Sequence, residues 1–267
     1  DLQIETDKGT YTVMSKLGDG GYGTVYRPDS GLQDNEGGFY FMVMEMVGPS
    51  LDKLKQVRPS KVFSLPCGIF HAEQCLEACQ VLHELGYINR DVKPGNYAVF
   101  MLDFGVARRI VNDRNELKTP RSTARFRGTV KFASRACHRN EDLSVKDDIE
   151  SWYYCLMDIV QPLGLPWQRT QHGPSVLQAN LFESLACSSD LQKIMHYVDN
   201  LTYREVVDYE YITGPLNAAA HRVGAKRDDP YDWELEEDEK LLVATASSLT
   251  LSPSPLFFSV FMCYITL

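Results

Sequence analysis

The order of local patterns along the chain predicts an α+β fold, with strands first and helices after. Three observations carry this reading. Residues 11–26 alternate and then turn glycine-rich, and residues 39–47 form a short apolar run. Residues 69–86, 147–160, 190–203 and 206–222 carry helical patterns. Between these regions lies a polar stretch, Asn89 to Gly105, that reads as loop. The 267 residues are 44% hydrophobic and 24% charged, enough for one large domain or for two lobes around a cleft.

Taken in order, Tyr11 to Tyr26 reads as strand, glycine turn, strand. Gly18, Gly20, Gly21 and Gly23 lie in the turn, and glycines at 18, 20 and 23 let backbone N–H groups approach phosphate oxygens with no Cβ in the way. A dinucleotide fold would follow such glycines with a helix; Tyr26-Arg27-Pro28 argues against one. The apolar strand from Phe39 to Val47 stops at Gly48-Pro49-Ser50. The helix over 69–86 ends at Gly86, a C-terminal cap. His71, Cys75, Cys79 and His83 recur in it every four residues. At about 1.5 Å of rise per residue they span about 18 Å, too far to share one metal ion, so they read as a core-facing stripe. Acidic residues dominate Asp228 to Glu239, and no internal repeat is visible.

A net charge of −9 argues against a nucleic-acid partner. Seven unpaired-looking cysteines and the lack of a signal peptide point to an intracellular chain, in the cytoplasm with the nucleus also open. The first residue is Asp1, so the amino terminus reads as trimmed or incomplete. Residues 241–267 carry no charge, but their most apolar run, Leu256 to Leu267, is shorter than the roughly 20 residues of a spanning helix. A tail anchor, a non-native terminus and a packed tail all stay open, with the non-native terminus preferred.

The chemistry concentrates in Asn89-Arg90-Asp91-Val92-Lys93-Pro94-Gly95-Asn96 and Asp103-Phe104-Gly105. Phosphoryl transfer needs a carboxylate for the acceptor hydroxyl, oxygen ligands for a metal, and a cation near the moving group. Asp91, the pair Asn96 and Asp103, and Lys93 supply these in turn. Met101 to Arg108, Phe126 to Ser134, Asp147 to Trp152, Leu165-Pro166-Trp167 and Asp229 to Glu234 extend the pattern. Together they resemble the casein kinase 1 group of protein kinases, nearest its tau-tubulin kinase branch, over about residues 8–168 and 190–234.

The resemblance implies a bilobal kinase fold over 8–235, with a truncated β lobe over about 8–47, a mainly helical lobe over about 51–235, and a tail from 236 to 267. It implies ATP and Mg2+ as cofactors. Leu17, Gly18, Gly20, Gly21, Gly23 and Val25 would cover the phosphates. Asp91 would accept or orient the proton of a Ser or Thr hydroxyl, Lys93 would stabilise the transferring phosphoryl group, and Asn96 and Asp103 would hold Mg2+. Asp148 would fasten the catalytic loop through backbone hydrogen bonds, an exposed capping role being the alternative. Lys131, with Arg127 beside it, would receive acidic or already phosphorylated substrate residues; plain surface charge explains both as well. The implied partners are protein substrates with acidic or primed Ser/Thr sites.

The chain also departs from that pattern. Kinases use a lysine on the third strand paired with a glutamate on a small-lobe helix. Only twelve residues separate Tyr26 from Phe39, and none is lysine. A strand, a helix and a further strand do not fit there. Six residues between Asn96 and Asp103 leave little room for two strands and a turn, which puts the convergence of the two ligands in question. Residues 168–180 are polar where a helix is expected, and Asn89 stands where the motif has histidine. Lys16 is the nearest substitute cation, equally explained as an exposed strand residue. Such block-like losses suggest skipped exons rather than gradual decay, and leave an inactive, protein-binding form as the alternative to a working kinase.

Overall fold

The computed structural model describes residues 2–6, 9–20, 23–30, 40–45, 48–98, 100–167, 184–234 and 260–265. In the first four stretches and the last, the strand backbone is what is described. The chain divides into two compact units, residues 1–48 with 248–267, and residues 49–247.

The first unit is an antiparallel sheet of five strands in the order β1-β2-β3-β7-β4. They are β1 Leu2–Thr6, β2 Gly9–Gly20, β3 Gly23–Ser30, β4 Tyr40–Glu45 and β7 Val260–Ile265. Strands β2 and β3 form the expected glycine hairpin, with Gly20 opposite Gly23. The register shifts between Lys16 and Gly18, so Leu17 sits at an irregularity of the ladder. Of the stretch 236–267, read from the sequence as a tail for which packing stayed open, residues 260–265 are described, and they form a strand of this sheet. Its strand β7 pairs with β4 from Tyr40↔Ile265 to Glu45↔Val260, and with β3 at Val25↔Cys263 and Tyr26↔Met262. A β-strand is a good home for an uncharged run with Val, Phe, Tyr and Ile. Among the described residues, no helix is long and apolar enough to cross a membrane.

The second unit is helical. It holds α1 Leu51–Val57, α2 Leu65–Glu84, α3 Arg135–His138, α4 Val145–Val160, α5 Ser188–Asn200 and α6 Tyr209–Arg222. Two short strands, β5 Tyr87–Ile88 and β6 Arg108–Arg109, pair antiparallel. Helix α2 starts at Ser64, whose Oγ accepts from Cys67 N–H, and it stops where Gly86 turns left-handed at φ +80°. The stripe His71, Cys75 and Cys79 is buried as expected, and the His83 side chain is only 4% exposed.

Helix α4 is the axis of this unit. Every residue from Asp147 to Val160 is buried, so polar atoms on it must find partners inside. Trp152 Nε1 donates to the Ala72 carbonyl at 2.7 Å, and Phe63 N–H to the Ile159 carbonyl at 2.8 Å. Helix α2 approaches α4 at Gly68, where a Cβ would collide with Val160. Helices α5 and α6 begin and end within a few residues of the stretches expected for them. Helix α6 starts at Asp208, whose carboxylate accepts Tyr211 N–H at 2.9 Å.

Candidate active site

Strands β5 and β6 bracket the polar stretch. Tyr87 lies opposite Arg109 and Ile88 opposite Arg108, so the chain leaves through residues 89–107 and returns to where it started. The loop is then tied down from α4. Asp148 Oδ2 accepts Asn89 N–H at 2.6 Å, and its Oδ1 accepts Arg90 N–H at 2.8 Å. Asp148 thus makes the backbone bonds expected of it and is no exposed cap, being 1% exposed. These bonds hold Arg90 at φ +68°, a left-handed conformation that costs a non-glycine residue about 1–2 kcal/mol. The Arg90 side chain turns inward, and Nε donates to the Val106 carbonyl at 2.6 Å. Burial, then the neighbouring Arg108, Arg121 and Arg127, lowers its affinity for the proton.

Asp91 is the centre of the constellation. Its Oδ2 lies 2.6 Å from Lys93 Nζ and 3.3 Å from Asn96 Nδ2. Asn96 Nδ2 also donates to the Asp91 carbonyl at 2.9 Å. The other carboxylate oxygen, Oδ1, is buried and has no hydrogen-bond partner among the described residues. A buried acceptor left open is costly in a structural loop, and natural in one built to take a proton or a hydroxyl. Lys93 Nζ makes a second bond, to Thr129 Oγ1 at 2.9 Å. Gly128 lets that segment come so close: its φ is +97°, and a Cβ there would collide with the Arg90 carbonyl and lie 3.2 Å from Asp91 Oδ1. Thr129 is a site residue that the sequence does not single out. Its partner is 36 positions away, so no local signal marks it.

The six residues between Asn96 and Asp103, of which Val99 lies outside the described residues, carry a single antiparallel bridge in place of two strands. Tyr97 and Met101 form a single bridge, Ala98 N–H donates to the Phe100 carbonyl at 3.0 Å, and Leu102 N–H to the Asn96 carbonyl at 2.7 Å. Asp103 is therefore one residue beyond a direct backbone link to Asn96. The exposed Asp103 carboxylate accepts Gly105 N–H at 3.0 Å through Oδ1. Asn96 turns its amide nitrogen to Asp91, which leaves its oxygen for a cation, and Asp103 adds carboxylate oxygen. That donor set fits Mg2+, which takes one or two protein oxygens together with phosphate. Among the described residues, no group of three or more His, Cys, Asp or Glu could hold a metal.

Lys131 and Arg127 fare differently. Lys131 Nζ lies 2.6 Å from Asp158 Oδ1, a carboxylate 2% exposed that also pairs with Lys55. Its backbone carbonyl accepts Trp167 Nε1 at 2.9 Å. Lys131 is therefore already engaged by an anion of this chain. Arg127 is exposed, and its carbonyl accepts the Cys137 thiol. Of the glycine-hairpin positions, Leu17, Gly18 and Gly20 lie in β2 and Gly23 and Val25 in β3, while Gly21 lies outside the described residues. Residues 31–39 and 168–180, where the sequence reading finds segments missing or replaced, also lie outside them.

No protein-family model matches the chain. Several curated proteins are similar to it, among them the following three. A probable serine/threonine-protein kinase of Dictyostelium discoideum is 29% identical over 213 residues, 74% of this chain and 43% of that protein. The serine/threonine-protein kinase spe-6 of Caenorhabditis elegans is 29% identical over 224 residues, 74% of this chain and 58% of its own length. A probable casein kinase I homolog of Encephalitozoon cuniculi is 28% identical over 214 residues, 72% of this chain and 69% of that protein. The chain spans about half the length of the first two. The Asp91–Lys93–Thr129 cluster, in a chain with these relatives, gives a resemblance to the serine/threonine protein kinases.

Proposed function

We propose that this chain transfers the γ-phosphate of ATP to serine or threonine hydroxyls of proteins, as a kinase of the casein kinase 1 type nearest its tau-tubulin kinase branch. The buried, unpartnered Asp91 Oδ1 carries the reading, because an acceptor hydroxyl can donate to it while Lys93 and Asn96 hold the other oxygen. Lys93, steadied by Thr129, supplies positive charge next to the transferring group. Asn96 and Asp103 would hold Mg2+, which neutralises phosphate charge when bound. The glycine hairpin over Leu17 to Val25 would serve the phosphates. Substrates with acidic or primed Ser/Thr sites would meet Arg127 and Lys131, and must share Lys131 with Asp158. The cytoplasm, with the nucleus also open, is the proposed location.

Purified protein with Mg-ATP should phosphorylate an acidic Ser/Thr peptide, and Asp91→Asn should abolish the signal. Incorporation no higher than in that variant would end the claim of activity. A second reading, a non-catalytic protein-binding module, is favoured by one observation: residues 27–47 contain no lysine for the α- and β-phosphates. That reading expects no thermal stabilisation by millimolar Mg-ATP, since a ligand stabilises only a fold that binds it. A clear rise in melting temperature would count against it.

A further inference from the structure

We infer that Asn89 is a positioning residue whose carboxamide fixes the Asp103–Gly105 turn to the loop that carries Asp91. Asn89 is 1% exposed, and its side chain works in two directions. Its Oδ1 accepts Asp91 N–H at 3.0 Å, and its Nδ2 donates to the Asp103 carbonyl at 3.2 Å, with Met101 Sδ at 3.7 Å. Its own N–H is spent on Asp148. One short side chain thus spans the proposed base and a proposed metal ligand, and it needs a donor and an acceptor at once. The Asn96–Leu102 bond tethers the turn on its amino side. Asp103 then sits at φ +60°, left-handed for a non-glycine residue, and Asn89 takes its carbonyl. With so short a connection before Asp103, this second tether sets where the carboxylate points.

The functional part of this inference rests on the kinase reading; the tether itself does not. Asn89→Asp keeps an acceptor for Asp91 N–H but loses the N–H donated to Asp103. Hydrogen exchange of the full chain at pH 8 should then show protection at Gly105 and Ala107 falling about 10-fold, the loss of one buried hydrogen bond. Asp91 should stay protected. Asn89→His, whose neutral imidazole keeps one N–H, should hold Gly105 near wild type, and this variant decides the matter if Asn89→Asp does not fold. Unchanged Gly105 protection in Asn89→Asp, loss of it in folded Asn89→His, or a fall shared equally with Asp91 and α4 would overturn the inference. Binding of Mn-ATP, followed by water-proton relaxation, should weaken at least 10-fold in Asn89→Asp, and equal affinity would also overturn it. A wild type that binds no Mn-ATP would count against the kinase reading alone, because the exchange experiment uses no nucleotide.

Discussion

Nε2 of His83 lies 3.0 Å from Oδ2 of Asp148, the oxygen that also accepts Asn89 N–H. Both side chains are almost wholly buried, at 4% and 2% exposure. The other ring nitrogen, Nδ1, meets the Tyr209 hydroxyl. If Nε2 carries the proton toward the carboxylate, Nδ1 is the acceptor for Tyr209. Helices α2, α4 and α6 are thereby joined in a chain from Tyr209 through His83 to Asp148, the carboxylate that holds the loop of Asp91.

Removing that carboxylate should therefore be far worse than removing the outermost contact. Asp148→Ala leaves two buried backbone N–H groups and a buried histidine without their acceptor, and should cost about 3–5 kcal/mol. Tyr209→Phe removes one hydrogen bond at the edge and should cost about 1 kcal/mol. Urea unfolding followed by tryptophan fluorescence checks both, since Trp152, Trp167 and Trp233 all lie in the helical unit. Similar midpoints for the two variants would refute this ordering.

His71 gives a pH prediction. Its ring stacks on Tyr231 at 5.0 Å and on Trp233 at 4.9 Å, and its Nε2 is buried with no hydrogen-bond partner among the described residues. Burial pushes its pKa down from 6.5 to about 4, with Asp232 opposing weakly. The unfolded chain thus binds a proton near pH 6.5 that the folded chain refuses until about pH 4. Between those values the unfolded state holds more protons, so stability rises with pH. The contribution is complete above about pH 6.5 and declines by about 1.4 kcal/mol per unit on acidification, about 3 kcal/mol in all. Unfolding free energies at pH 7 and pH 4.5 should differ by about 2–3 kcal/mol more in wild type than in His71→Phe. Equal differences would show that His71 stays protonatable in the fold.

What the sequence made legible was local. The spacing within Asn89 to Asn96 and the three residues Asp103 to Gly105 mark the site because each role there needs a particular side chain at a fixed separation. The four-residue stripe of α2 was legible because helical periodicity and burial coincide. Long-range pairs were not. Lys131 reads as an open cation until α4 brings Asp158 to it, and Thr129 gains a role only when Gly128 folds its segment against Arg90. The pairing of Val260–Ile265 with Tyr40–Glu45 joins segments more than 200 residues apart, and a uniformly apolar run carries no alternation to announce its register.

The Lys55–Asp158–Lys131 triad should respond unequally to its three deletions. Asp158 is 2% exposed, the Lys55 side chain 11% and that of Lys131 30%. Lys131→Met leaves Asp158 paired with the more buried Lys55, and should cost less than about 1 kcal/mol. Asp158→Ala leaves Lys55 buried without a counter-ion, and should cost about 3–5 kcal/mol. Lys55→Met should fall between, because Lys131 still faces the carboxylate from a wetter position. The three urea midpoints test the order, and a larger loss for Lys131→Met than for Asp158→Ala would reverse the assignment of the buried partner.

Two glycines of the site should answer oppositely to the same substitution. Gly95 lies in the 3-10 turn Pro94–Asn96, and a Cβ there would meet only Lys93 Cε, at 3.8 Å. Gly95→Ala restricts the unfolded chain without strain in the folded one, and should stabilise by about 0.5 kcal/mol. Gly128 has φ +97° and no space: its Cβ would strike the Arg90 carbonyl, whose neighbours are fixed by Asp148. Left-handed strain of about 1–2 kcal/mol adds to overpacking of about 1–3 kcal/mol, so Gly128→Ala should destabilise by about 2–5 kcal/mol. The collision also lies 3.2 Å from Asp91 Oδ1, so relief by movement of the segment would pull Thr129 from Lys93. Thermal melts of the two variants should shift in opposite directions, and a neutral Gly128→Ala would show that the segment yields without cost.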